Sequence, residues 1–297
     1  MQRGTSMDFA QQLINGIQLG SIYALVAIGY TMVYGIAKMI NFAHGDIIMV
    51  GSYIALLFFQ NTGLPVWGVI GATALVSAVL GMVIERLAYK PLRGGSRMSA
   101  LITTIGVSLL LQNVFLLLFG SSPKPFPAAF GGEGFLLAGV TVSRLTAVTL
   151  VVTVVLMVLL TLFVGRTRLG KAMRAVSEDQ GAAQLMGINI DNSISLTFAI
   201  GSALAAVAAV LYSSTYPLIN PYMGSMLGLK AFIAAVIGGI GIIPGAMLGG
   251  FIIGIAEAFI KRYISSALVD AIVFALLILV LIIKPAGLLG KNEREKV

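Results

Sequence analysis

Apolar runs of about 20 residues recur along the whole chain with short polar stretches between them, the length a helix needs to cross a ~30 Å hydrocarbon core. They fall at roughly 9–36, 39–60, 65–88, 99–119, 145–164, 193–213, 223–243, 245–260 and 267–283. The pattern predicts an all-α integral membrane protein, a polytopic helical bundle of about eight or nine transmembrane segments. It forms one domain over residues 1–297. Two of the runs are interrupted. Gly238, Gly239, Gly241, Pro244, Gly245, Gly249 and Gly250 crowd the stretch where 223–243 gives way to 245–260. These pieces read either as full crossings or as re-entrant half-helices, because broken backbone at membrane depth is tolerated where protein or a water-filled cavity covers it.

Basic residues orient the bundle. Arg86, Lys90, Arg93 and Arg97 flank one short loop, Arg166, Arg168, Lys171 and Arg174 fill a second, and Lys284, Lys291, Arg294 and Lys296 end the chain. Lysine and arginine concentrate on the cytoplasmic side of membrane proteins, and even numbers of crossings separate the three clusters. All three are expected in the cytoplasm together with Lys38, and the N-terminus outside. The segment 120–143, with Pro123, Lys124, Pro125, Phe126, Pro127, Gly131 and Gly132, becomes an external loop. Tyr212, Tyr216, Tyr222 and Trp67 fall at external ends, where such rings settle at headgroup level. One Arg before the first apolar run, with no small-residue cleavage site, argues against a cleaved signal peptide.

Composition narrows the function classes. The chain is 58% hydrophobic and 10% charged, against about 25% charged in soluble proteins, which leaves no stretch for a second, soluble domain. The net charge of +8 sits at helix ends, so it points to the lipid bilayer and not to nucleic acid. The chain has no Cys and one His, which removes disulfides, thiolate metal sites and any His-rich metal centre. No catalytic, cofactor or metal site is expected. Its 35 glycines suit close approach of membrane helices.

Three segments carry candidate chemistry. Residues 165–190 form a polar cytoplasmic loop. Within it Ser177-Glu178-Asp179-Gln180 has the form of a capping box, with Ser177 at the N-cap, and Gly187 fits the C-terminal cap. This predicts a short helix over 178–186 with Ala182, Leu185 and Met186 on one face. Such a helix suits docking to a partner; lying flat on the membrane or packing on its own subunit are the alternatives. The same loop contains Gly165 to Gly170-Lys171 in the GxxxxGK spacing, but Ala172 replaces the hydroxyl that would hold Mg²⁺ and no soluble strand precedes it. Any ATPase must therefore be another chain.

The second segment is Asn41-Phe42-Ala43-His44-Gly45-Asp46. Asn41, His44 and Asp46 either line a translocation pathway, as buried ionisable groups in membranes commonly do, or form a wetted cytoplasmic turn. The third is the glycine-rich run, whose Gly239, Gly241 and Gly245 read as a gating region in the second half of the chain or as a close helix-packing face. Glu85 is expected to pair locally with Arg86, and Glu257 with Lys261 at i, i+4.

Long stretches resemble the permease subunits of bacterial high-affinity branched-chain amino acid ABC transporters, the LivH type. They run from GIQLGSIYALVAIGYTMVYGIAKMINFAHGD (16–46) through IERLAYKPLRG (84–94) and MRAVSEDQGAAQLMGIN (173–189) to INPYMGSMLGLKAF (219–232) and AAVIGGIGIIPGAMLGGFIIGIAEAF (234–259). The resemblance implies an ABC importer permease fold in the bacterial inner membrane. It implies a second, LivM-like permease, two ATPase subunits that use ATP and Mg, and a periplasmic amino-acid-binding protein. Residues 173–189 look like the coupling loop of such importers, with Ala175, Glu178, Asp179, Ala182, Leu185, Met186 and Gly187 at the ATPase-docking positions. The acidic pair Glu178-Asp179 stands where many importers of other classes have a different Glu-Ala-Ala spacing. The resemblance does not separate branched-chain amino acids from urea or short amides, and an ion-coupled secondary transporter is the remaining alternative.

Overall fold

The computed structural model describes residues 2–93, 95–131, 134–137 and 140–290; Gly132, Lys291, Arg294 and Lys296 lie outside the described residues. The first half runs α1 (Gln2–Ala37), α2 (His44–Asn61), α3 (Val66–Ile84) and α4 (Arg97–Phe119), with a π turn at Glu85–Tyr89 and a 3₁₀ turn at Lys90–Leu92 prolonging α3. With inside and outside taken throughout from the orientation that the basic clusters lead one to expect, short strands β1 (Lys124–Pro125), β2 (Phe135–Leu137) and β3 (Val140–Val142) follow on the outer side. Then come α5 (Arg144–Arg166), the cytoplasmic helices α6 (Arg168–Glu178) and α7 (Gln180–Leu185), and α8 (Ile190–Thr215). Strand β4 (Leu218–Ile219), α9 (Met223–Gly238), α10 (Ile243–Tyr263) and α11 (Val269–Ile283) complete the order. Among the described residues, seven helical segments are long and apolar enough to cross a membrane, the last being α11 with the turn before it, Ser266–Ile283. Helices α2 and α9, of 18 and 16 residues, complete the bundle.

Helices α1 and α8 are buried along most of their length, whereas α4, α5 and α11 are exposed along most of theirs. The first two are central pillars; the others leave apolar side chains such as Leu109, Leu117, Val155, Leu159 and Ile282 exposed on the surface of the bundle. Small residues let the pillars close up. A Cβ on Gly254 would collide with the backbone of Gly20, and one on Gly250 with the backbone of Ala24, so α10 lies directly against α1.

The breaks in the helices are not where the glycine-rich run suggested. Gly238 to Gly250 form the cytoplasmic turn between α9 and α10 and the face on which those helices pack: a Cβ on Gly249 would strike the carbonyl of Ala234, and one on Gly245 that of Gly238. Gly239 and Gly241 take φ of 109° and 91°, which the turn needs and other residues resist. The amides of Leu288 and Leu289 donate to the carbonyls of Ile237 and Gly238, closing the end of α9. Close approach at Gly239 and Gly245, and positive φ at Gly239 and Gly241, give these glycines a structural role.

The real breaks lie at 38–43 and 216–222. Helix α1 ends at Lys38, which holds φ of 54°, and the chain turns back into the bundle before α2 begins at His44. A Cβ on Gly29 would meet the His44 imidazole, so α2 starts beside Gly29, about two turns or ~12 Å above the end of α1. The second break is its inverse. Helix α8 ends outside at Thr215, β4 pairs with β1 in the register Lys124↔Ile219, and the chain re-enters to start α9 at Met223. Gly224 packs against Gly45, so both short helices begin at one depth. The two breaks share a pattern: Ile40-Asn41 with His44-Gly45-Asp46, and Ile219-Asn220 with Met223-Gly224-Ser225. Inverted halves with helices interrupted in matching places are a recurring transporter plan.

A Cβ on Gly45 would collide with the carbonyl of Gly224 and approach Gly228 Cα at 2.9 Å, whereas one on Gly71 would meet nothing within 4 Å. Gly45→Leu is therefore expected to lower the detergent melting temperature by the equivalent of ~1–3 kcal/mol and Gly71→Leu to leave it unchanged, as thermal unfolding of the two purified variants would record.

Candidate functional site

Where the two short helices meet lies a polar cluster in which Asp46 and Gln112 are buried and Ser225 is exposed. Asp46 lies in the first turn of α2, where the helix dipole favours a negative charge. Its Oδ1 accepts a hydrogen bond of 2.9 Å from Gln112 Nε2 of α4, and the same amide nitrogen reaches Ser225 Oγ at 2.9 Å. Gln112 thus bridges Asp46 and Ser225, the equivalent positions of the two breaks. Asn41, His44 and Asp46 are all buried to 1% exposure, so the wetted-turn reading of this segment fails. Asp46 Oδ2, His44 Nε2 and Asn41 Nδ2 have no protein partner. The His44 ring meets Tyr30 edge-on at 4.7 Å.

The π turn after α3 ties this junction to the cytoplasmic side. Its last residue, Tyr89, donates its hydroxyl to Asn41 Oδ1 at 2.8 Å. Its first, Glu85, is completely buried and bonds Arg93 and the Ser195 hydroxyl, the latter at 2.5 Å. Glu85 therefore does not pair with Arg86. Glu85 continues the stripe of Ser77, Gly81 and Ile84 that α3 buries, and Gly81 packs on Ser202 of α8. Arg93 Nη1 continues to Asp191 Oδ1 at 2.5 Å, and Lys90 Nζ takes the other oxygen at 2.7 Å. Two cytoplasmic cavities of about 310 and 420 Å³ open around Asp191.

The loop 165–190 is helical, with its second cap two residues later than expected. Ser177 and Glu178 belong to the last turn of α6, and Ser177 Oγ donates back to the Arg174 carbonyl at 2.7 Å. Asp179, not Ser177, caps α7, its Oδ1 accepting from the Ala182 amide at 2.9 Å. Thr167 caps α6 in the same manner, accepting from the Gly170 amide at 3.0 Å, and Gly170, Met173 and Val176 bury the inner face while Ala175 is half-buried. Preference for Asp179 follows because Ser177 still lies within the amphipathic period of α6. Helix α7 closes with Gly187 at φ 79°; Gly187 N–H reaches the Gln184 carbonyl and Ile188 N–H the Ala183 carbonyl, each at 3.0 Å. Asn189 then caps α8 through the Asn192 amide at 3.0 Å. Of α7 only Ala183 points inward. Ala182 is exposed, and Leu185 and Met186 are 91% and 82% exposed, so two large apolar side chains stand in the cytoplasm without a cover.

Charges near the outer ends form a group larger than sequence spacing suggested. Glu257 Oε1 pairs with Lys261 Nζ at 2.6 Å, the expected i, i+4 contact. Its Oε2 also takes the Tyr23 hydroxyl at 2.7 Å and Lys230 Nζ at 3.2 Å, and Lys230 reaches Asp270 at 2.9 Å. Lys230 and Tyr23 were missed because nothing in their own segments marks them; only the packing of α9 and α1 on α10 brings them together.

Glu85 is buried with Arg93 as its cationic partner. Removing one side of such a pair typically costs ~3–5 kcal/mol. Arg93→Ala is expected to destabilise the purified protein on that scale in denaturant or thermal unfolding, and Glu85→Gln added to it should recover much of the loss.

Residues 12–281 match the family described as the branched-chain amino acid transport system permease component. The chain is 48% identical to the high-affinity branched-chain amino acid transport system permease protein BraD of Pseudomonas aeruginosa, with 97% of this chain and 98% of that protein covered. It is 49% identical to the corresponding permease protein LivH of Escherichia coli, at 97% and 98% coverage. The probable branched-chain amino acid permease protein LivH of Methanocaldococcus jannaschii is 31% identical, at 95% and 91% coverage. The helical, multi-pass membrane fold and these full-length similarities agree: the chain belongs to the branched-chain amino acid transport permease family.

Proposed function

We propose that the chain is a non-catalytic permease subunit of an ATP-driven importer of branched-chain amino acids in the bacterial inner membrane. The observation that carries this reading is 48% and 49% identity along nearly the whole length of two permeases named for that substrate class. A second permease of the LivM type stands beside it, two ATPase subunits bind ATP and Mg on the cytoplasmic side, and a periplasmic binding protein delivers substrate.

The outer receiving surface in this reading is the external loop 120–143 joined to 216–222. The β1–β4 pairing and a 3.0 Å hydrogen bond from Phe126 N–H to the Pro217 carbonyl make these one piece with the outer break. The inner receiving surface is α7, with Leu185 and Met186 entering a groove of the ATPase and Ala175, Glu178, Asp179 and Ala182 around them. Closure of the ATPases moves α7. The capped turn from Gly187 to Asn189 joins α7 directly to α8, and Asp191 links that point through Arg93 and Glu85 to the π turn. Tyr89 carries the displacement to Asn41 at the inner break. An element with two arrangements, open inward or outward, is what such a contact chain must bias. The broken helices α2 and α9 are built for that role.

Leu185 and Met186 touch little of their own chain, so charging them leaves the fold alone. The double variant Leu185→Glu, Met186→Glu is expected to insert and melt as the parent does, to lose co-purification of the ATPase subunits, and to lose ATP-driven leucine uptake. Full uptake by this variant would end the docking assignment.

A further inference from the structure

Below the outer ends of α8 and α10 lies a cavity of about 210 Å³ that the coupling route does not use. Part of its lining is apolar, from Met223, Met226 and Leu227 at the start of α9. Lys230, Glu257 and Lys261 line it as well, as do Tyr23, Tyr212 and Tyr216. We propose that this cavity is a stopping site for the amino acid itself, held as the free zwitterion. Its carboxylate lies on Lys261 and Lys230, its ammonium on Glu257, and its branched side chain against Met223, Met226 and Leu227. The proposal rests on the functional reading above and gives it a place in the membrane.

Four features carry it. First, the site matches the ligand in chemistry: charges of both signs, a flexible apolar surface, and methionines that adapt to differently branched side chains. Second, charge is balanced. Lys230 and Lys261 face Glu257 and Asp270 in one connected group. A zwitterion can exchange internal ion pairs for equivalent ones to itself and leave no buried charge uncompensated. A free cation or anion cannot, and unpaired charge at this depth is costly. Third, the cavity lies at a break. Tyr216 follows the last residue of α8 and Met223 is the first of α9, the kind of place where transporters built from inverted halves hold their cargo. Fourth, access and size agree. Tyr216 and Met226 are 39% and 43% exposed while Glu257 forms the floor at 3%, and the volume is below the ~300–1,000 Å³ of drug-sized pockets, as suits one amino acid. An ion pair serving stability alone would be packed solid; this one borders open space.

The test uses the complete assembly, with both permeases and the ATPases, in two readouts. In proteoliposomes supplied with binding protein and ATP, Met226→Trp, which fills the cavity from a half-exposed position, should lower leucine uptake by about tenfold. In detergent without the binding protein, L-leucine should raise the melting temperature of the parent assembly. Leucinamide, which lacks the carboxylate, and 4-methylpentanoate, which lacks the ammonium, should not, and Lys261→Met should abolish the L-leucine shift. Should Met226→Trp fail to assemble, Lys261→Met carries both readouts, since Glu257 keeps Tyr23 and Lys230. Parent-level uptake and parent-level L-leucine shifts in the variants would overturn the cavity assignment alone. A parent assembly that imports no amino acid would overturn the functional reading and this proposal with it.

Discussion

The backbone contact between Gly45 and Gly224 is the constraint on which the rest depends. Each residue lacks the Cβ that would strike the other's carbonyl, so two helices can begin side by side in the interior of the bundle. A helix start exposes backbone amides, and lipid offers them no acceptor. The start of α2 is buried, the start of α9 is only partly covered, and both carry polar side chains. Asp46 and Ser225 stand in the two first turns, and Gln112 bonds both. The buried start of α2 seals polar groups such as Asp46 Oδ2 without a protein partner.

From that junction the two halves lead in opposite directions. The inner break at 38–43 hangs from Tyr89, and through the π turn from the cytoplasmic ion group of Glu85, Arg93 and Asp191. The outer break at 216–222 is stitched to the external loop by β1 and β4 and borders the cavity around Glu257. One break thus lies next to the surface that would feel an ATPase, and the other next to the surface that would receive substrate. Gly45 packs on both Gly224 and Gly228, so α2 and α9 are in direct backbone contact. In the proposed function this contact is the short mechanical link between energy input and cargo.

The sequence made the membrane architecture legible because apolar run length and basic clustering are direct consequences of lipid physics. The short helix at 178–186 was also visible, since Gly187 and its capping neighbours mark it, although Asp179 took the capping role assigned to Ser177. The site was less legible. Gly238 to Gly250 drew attention by composition, yet those glycines serve packing and a cytoplasmic turn. The true breaks are marked by the repeated Asn41–Gly45 and Asn220–Gly224 pattern, a signal that gains meaning only when the two copies are seen to touch. Glu85 looked like a surface partner of Arg86 because it was read as a helix end, without the buried stripe of Ser77, Gly81 and Ile84 that it continues. Lys230 was passed over as a lone cation in an apolar run, and its two partners, Glu257 and Asp270, come from other helices.

The most direct test of the account is to purify the tagged chain from its native membrane in mild detergent, identify what accompanies it by mass spectrometry, and reconstitute the material for leucine uptake. The account predicts that a second permease and ATPase subunits accompany the chain and that uptake requires ATP. A chain that purifies alone and transports without ATP would contradict it.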